Sequence, residues 1–263
     1  MFKSIAVRRA QGSQFIPDPR RAAPQGFRGR PVVGEGACGT GCSACVDSCP
    51  TRAIALKLTT AAPTPAAPTT AALTVDLGRC IQCGDCASAC PTGKLGYSND
   101  VRLAATDLAG LVIGVDRPTP DPVRVSAELK QRFGRSLKLR SVSAGGCNAC
   151  ELEVNALTNV NFDIGRYGID IVASPRHADG LVLTGPISRN MADALQLCWD
   201  GMPEPKLVIA VGACAISGSP FDGSEALDRS FLDRIKPTLY VPGCPAHPLT
   251  FLCGLLDLLG IPS

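Results

Sequence analysis

The chain has 263 residues, long enough for one large domain or two smaller ones. Apolar residues at 45% supply a core, while a net charge of +3 and 5% aromatics give neither the basic excess nor the stacking platforms of a nucleic-acid binder. Fourteen cysteines are the departure from ordinary composition, and with no secretory apolar stretch behind "MFKSIAVRRAQG" they are expected to serve metal or catalysis in a reducing cytoplasm rather than disulfides.

Residues 1–30 carry Lys3, Arg8, Arg9, Arg20, Arg21, Arg28 and Arg30 against one acid, Asp18. Pro17, Pro19 and Pro24 oppose a long helix, so the stretch reads as a basic N-terminal arm, solvated or lying on a partner or an anionic membrane surface. Residues 31–100 read as a small cysteine-rich domain built on a repeat. "CSACVDSCPTRAI" (42–54) and "CGDCASACPTGKL" (83–95) match at an offset of 41 residues. Between them "TTAAPTPAAPTTAA" (59–72) is expected to be an extended linker.

Residues 101–136 read as a bridge with a short helix over 126–134, capped by Ser126 and ended by Gly134. From 137 to 263 short β-branched runs alternate with helical stretches. Strands are expected at 137–143, 169–174, 180–185, 206–212 and 238–243, and helices at 149–160, 188–201 and 248–260. That alternation implies an α/β domain with a parallel sheet covered on both faces. The longest apolar run, 249–261, is shorter than the ~20 residues of a membrane span and contains Asp257, so it is expected to be a packed helix.

Cys80, Cys83 and Cys86 are separated by two residues each, and Cys90 follows after three with Pro91 behind it. This is the two-cluster ferredoxin run, in which the fourth cysteine serves the other cluster. Cys80, Cys83, Cys86 and Cys49 are therefore expected to hold one 4Fe–4S cluster, and Cys38, Cys42, Cys45 and Cys90 another. "CGTGC" places three residues rather than two between Cys38 and Cys42, a bulge that Gly39 and Gly41 accommodate. Zinc, held by Cys-x-x-Cys pairs, is the competing chemistry, but it has no use for the doubled run with its prolines.

Three further loops each follow an expected strand and carry glycine before cysteine: Cys147 with Cys150, Cys214, and Cys244. The carboxyl edge of an open parallel sheet is where ligands gather. Cys147, Cys150, Cys214 and Cys244 are thus expected to hold a third 4Fe–4S cluster. Cys198 and Cys253 fall inside apolar helical stretches and read as core residues. Glu151 stands beside the pair as a candidate for proton transfer or cluster tuning, or as a helix-terminal charge, with Glu153 the weaker candidate. His177 reads as a loop histidine, able to couple protons to electrons near a cluster or to make a structural hydrogen bond.

"SLKLRSVSAGGCNACELEVNALTN", "FDIGRYGIDIVASPRHADGLVLTGP", "PEPKLVIAVGACA" and "YVPGCPAHP" resemble the small subunit of group 4, membrane-associated NiFe hydrogenases of the formate hydrogenlyase type, with the complex I 20 kDa subunit as cousin. "GFRGRPVV" through "DLGRCIQCGDCASACPT" resembles the two-cluster ferredoxin subunit of the same complexes, so the chain looks like a fusion of the two. The resemblance implies a ferredoxin-like α+β domain followed by a flavodoxin-like α/β domain, three 4Fe–4S clusters, and a hydrogenase-type large subunit as partner. It further implies integral membrane subunits, an electron donor or acceptor protein, and a cytoplasmic location peripheral to the inner face of the membrane. Asn148 and Ala149 between Cys147 and Cys150 follow the hydrogenase form rather than the adjacent pair of the complex I relatives. A quinone-reducing complex without nickel, and a zinc or redox-sensing module, are the alternative functions.

Overall fold

The computed structural model describes residues 2–12, 14–36, 38, 41–59, 70–124 and 127–262. Helix α1 (Phe2–Gln11) opens the chain and buries no residue. The prolines expected to prevent helix begin only at Pro17, so the residues before them are free to form one. The rest of the basic stretch is not a solvated arm. Ile16 N donates to Asn161 O (2.8 Å), Arg20 Nη2 to Asp257 Oδ1 (2.6 Å), and the Phe27 ring lies 4.8 Å from that of His247.

The cysteine-rich unit contains β1 (Pro31–Val33), α2 (Ala44–Asp47), β2 (Ile54–Thr59), β3 (Thr70–Asp76), α3 (Asp85–Ala89), β4 (Leu95–Tyr97) and β5 (Val112–Gly114). β1 pairs antiparallel with β4. β2 and β3 pair antiparallel from Ile54↔Val75 to Thr59↔Thr70, so both ends of the stretch expected to be linker are strand; residues 60–69 lie outside the described residues. Leu73 and Val75 alternate into the core, with Leu77, Leu111 and Ile113 buried beside them.

The expected bridge is likewise structural. β5 completes the sheet by pairing with β3 (Val75↔Ile113), and Ala105 forms an antiparallel bridge to Tyr240 in the C-terminal domain. The segment 101–114 is therefore shared between the two units.

The C-terminal domain runs α4 (Ala127–Phe133), β6 (Leu137–Ser143), α5 (Ala149–Ala156), β7 (Ile169–Ile171), β8 (Gly180–Thr184), α6 (Arg189–Asp200), β9 (Leu207–Val211), α7 (Ala213–Ser217), α8 (Ser230–Arg234), β10 (Leu239–Val241) and α9 (Pro248–Leu259). Gly134 follows α4 as expected; Ser126 lies outside the described residues. The five strands are parallel in the order β10-β9-β8-β6-β7, the flavodoxin-like order. β8 and β9 are buried at every position, as their unbroken apolar sequences require of strands covered on both faces. α9 is almost wholly buried, with Asp257 turned out to Arg20. Among the described residues no helix is long and apolar enough to cross a membrane.

Candidate metal centres

The carboxyl ends of the parallel strands hold one group of cysteines. Cys147 and Cys150 follow β6, Cys214 lies in α7 after β9, and Cys244 follows β10. The strand order reverses between β6 and β8, which opens a crevice at this edge. The four thiols sense one another. Burial, opposed by a backbone hydrogen bond from Ala246 and reinforced by the charges of Glu151, Cys244 and Cys147, pushes Cys150 up to about 11. Burial and the other three thiols push Cys214 up to about 12, and burial followed by Cys147 raises Cys244. Charge repulsion of this kind requires proximity.

Backbone shape makes room for something at this edge. Gly212 has φ +89°, and a Cβ there would stand 2.6 Å from Cys150 Sγ. Gly185, with φ +80°, would place a Cβ 2.7 Å from Gly146 N. No side chain fits at either position.

Glu151 opens α5, and Thr184 Oγ1 at the end of β8 donates to its Oε1 at 2.6 Å. The carboxylate is thus fixed at the edge where the four cysteines meet. Glu153 is raised by burial. His177 is different. It is exposed in the turn Pro175–His177 before β8, where Asp179 N donates to Lys138 O near the start of β6. That turn lies at the amino edge of the sheet, opposite the cysteines. Of the two roles open to His177, proton coupling near a cluster or a structural hydrogen bond, the first finds no cysteine group beside it, because a short crossing from β7 to β8 returns the chain to the far side.

The second group is Cys49, Cys80, Cys83 and Cys86, which together line one cavity with Thr51, Ile81 and Tyr97. Burial and then Cys86, Cys49 and Cys83 push Cys80 up to about 12. Ala53 N donates to Cys49 Sγ (3.2 Å) and Gln82 N to Cys80 Sγ (3.4 Å). The Tyr97 hydroxyl lies 3.7 Å from Cys86 Sγ. Arg28 Nη1 donates to the carbonyls of Gln82 (3.0 Å) and Cys83, and its guanidinium covers the Tyr97 ring at 5.6 Å.

Cys38 and Cys90 stand near Cys45 in the remaining group, with Cys42 on the turn into α2. Burial, then the charges of Cys38 and Cys90, raises Cys45. Slight burial opposes ionisation of Cys90, but Thr92 and the backbone N–H groups of Leu95, Thr92 and Lys94 outweigh it and bring the thiol down to about 7. Lys94 N donates to Cys90 Sγ at 3.2 Å. Cys253 is buried in α9, and Cys198 is half-buried in α6 with Arg140 beside it; both stand apart from the three groups. Among the described residues, no three His, Cys, Asp or Glu side chains converge on a point suited to a single metal ion.

The second group abuts the sheet edge. Ser217 Oγ donates to Gly78 O (2.9 Å) and Ser219 Oγ to Arg79 O (3.1 Å), while Arg79 Nη1 lies 2.9 Å from Asp222 Oδ2. The turn entering Cys80 is thereby bolted to the turn leaving Cys214. Sequence reading passed over Arg28 and Tyr97. The aromatic in "GKLGY" was the available signal for Tyr97; nothing local marks Arg28, whose partners lie more than fifty residues away.

Residues 37–94 match the 4Fe-4S dicluster domain, and residues 147–258 match the family described as NADH ubiquinone oxidoreductase, 20 Kd subunit. The chain is 40% identical over 131 residues to a probable membrane-bound hydrogenase subunit, mbhJ, of Pyrococcus furiosus, covering 49% of this chain and 78% of that one. It is 39% identical over 138 residues to formate hydrogenlyase subunit 7 of Escherichia coli, covering 52% of this chain and 54% of the relative. It is 40% identical over 129 residues to an NADH-quinone oxidoreductase subunit of Bacteroides thetaiotaomicron, covering 48% of this chain and 64% of the relative. The cysteine groupings, the parallel sheet and these matches agree: the chain belongs to the family of complex I 20 kDa and NiFe hydrogenase small subunits, with a 4Fe–4S dicluster domain joined to it.

Proposed function

We propose that this chain is the iron–sulfur electron-transfer subunit of a membrane-associated hydrogenase of the formate hydrogenlyase type. It would hold three 4Fe–4S clusters: one on Cys38, Cys42, Cys45 and Cys90, one on Cys49, Cys80, Cys83 and Cys86, and one on Cys147, Cys150, Cys214 and Cys244. The observation that carries the reading is the meeting of four thiols from three strand-end loops, against a turn of the dicluster domain. Each cluster, when bound, supplies a one-electron carrier whose potential follows its hydrogen bonds and burial.

The residues of the chain perform the remaining work. The N–H groups of Ala53, Gln82 and Lys94 donate to ligand sulfurs and favour their thiolate form. Gly185 and Gly212 keep the third site clear of side chains. The Ser217–Gly78 and Ser219–Arg79 contacts support an order in which the Cys80 group lies next to the Cys214 group, with the Cys38 group as the entry or exit for an external protein. A large partner subunit would dock on the third site, where Cys147 and Cys244 are exposed. Integral partner subunits would hold the assembly at the inner face of the membrane.

The relatives include hydrogenase and quinone-reductase subunits at similar identity. The Cys147-Asn148-Ala149-Cys150 spacing favours the hydrogenase side. Purification of the intact complex without oxygen, with nickel analysis and a hydrogen-evolution assay, tests the choice. Nickel in the large partner together with hydrogen evolution is expected. A nickel-free complex that reduces a quinone and evolves no hydrogen overturns the hydrogenase assignment.

A further inference from the structure

Arg229 directly precedes α8, and its half-buried side chain turns back to α7. Nη1 donates to the carbonyls of Pro186 (3.1 Å) and Cys214 (3.0 Å). Nη2 donates to those of Ala215 (2.8 Å) and Ile216 (3.0 Å). Pro186 belongs to the turn after β8, and Cys214, Ala215 and Ile216 belong to α7 after β9. One planar fork thus joins two of the loops that end at the cysteine edge. A five-residue helix leaves its last carbonyls without helical partners, and a guanidinium is well shaped to satisfy several at once. The Gly218 N–H completes the capping by donating to Cys214 O at 2.9 Å.

The charge of this fork matters as much as its shape. Two acids act on it: Asp222, which is engaged with Arg79 at 2.9 Å, and Asp233 in α8. Burial lowers the Arg229 pKa, yet a guanidinium starts so high that it stays protonated at neutral pH. Positive charge therefore stands permanently beside Cys214.

We propose that Arg229 is a positioning residue for the third cluster: it fixes the Cys214 thiolate through the backbone of α7, and its charge raises that cluster's reduction potential. The proposal rests on the reading of Cys147, Cys150, Cys214 and Cys244 as a cluster site. Reduction adds one electron, and hence one negative charge, to the centre, and a fixed cation nearby favours the reduced form. A purely structural clamp would change loading or stability and leave the potential alone.

The test is an EPR-monitored redox titration of the full chain, loaded without oxygen, as wild type, Arg229→Gln and Arg229→Lys. The expected result for R229Q is a reduction equilibrium shifted at least tenfold toward the oxidised third cluster, about 59 mV for one electron, with the two dicluster-domain centres unmoved. R229K keeps the charge and should titrate close to wild type. Should R229Q fail to retain the third cluster, iron is expected to fall from about twelve to about eight per chain while R229K retains more. R229Q with full iron and the wild-type potential overturns the proposal. So does an R229K shift as large as that of R229Q, or loss of iron from all three sites in both variants. A wild-type chain that binds only about eight irons would instead sink the three-cluster reading, so the two failures are distinguishable.

Discussion

Individual side chains decide how each cysteine group behaves as a ligand set. Tyr97 offers a hydroxyl to Cys86 Sγ at 3.7 Å, and against a thiolate it can only donate. Removing the donor in Tyr97→Phe is expected to lower the potential of the second cluster by the equivalent of ~0.5–1.5 kcal/mol, seen in a redox titration with the third cluster unchanged. Gly212→Ala puts a methyl 2.6 Å from Cys150 Sγ in a left-handed backbone, so it is expected to cost the third cluster selectively, read as iron falling by about a third. The cysteines themselves were legible because spacing and strand-end glycines are local patterns. "SPRHADG" read as a loop without saying which edge of the sheet it joins; only the pairing of β7 and β8 with β6 assigns His177 to the amino edge.

Elements were read from the sequence most accurately where one strong period ran to a clear stop. β6 occupies the residues expected of it, and α9 ends at the expected Gly260. Elements defined by distant partners were not legible. β5 is three residues long and exists because β3 offers it an edge, and the 70–72 part of the supposed linker is strand because Lys57–Thr59 pairs with it. Asp100 belongs at this scale, since it fastens the bridge. It accepts from Arg102 Nε (3.0 Å) and Nη2 (2.9 Å), and Arg30 Nη2 lies 3.7 Å away. Burial opposes its charge, but the Arg102 contacts and Arg30 prevail and hold its pKa below that of an ordinary carboxylate. A depressed carboxylate contributes stability above its unfolded pKa and loses it as pH falls through the folded value. Asp100→Asn is therefore expected to destabilise the chain at neutral pH by ~0.5–1 kcal/mol after solvent screening. The difference from wild type should vanish in urea unfolding curves taken below the ordinary carboxylate range.

At the level of the whole chain, two units share one hydrophobic cluster and a hydrogen-bonded seam. Leu77 and Leu111 from the cysteine-rich unit pack in the same cluster as Ala215 and Ile216 from α7. The Arg79–Asp222 pair reinforces the seam, with Arg52 3.9 Å from the same oxygen. Because these side chains are about one-third exposed or more, Asp222→Ala is expected to cost no more than ~1 kcal/mol in thermal or urea unfolding. On the proposed assignment, transfer between a cluster on the Cys80 group and one on the Cys214 group should slow only as far as the seam loosens. No local pattern encodes a seam, since Arg79 and Asp222 are separated by most of the chain.

The proposed electron relay requires twelve cysteines to hold three 4Fe–4S clusters. Iron and acid-labile sulfide per chain, determined on anaerobically reconstituted full-length protein, decide the matter. About twelve of each, falling to about eight in a Cys214→Ser variant, is the expected outcome. About eight in the unaltered chain, or zinc at about one per four cysteines with no labile sulfide, would contradict it.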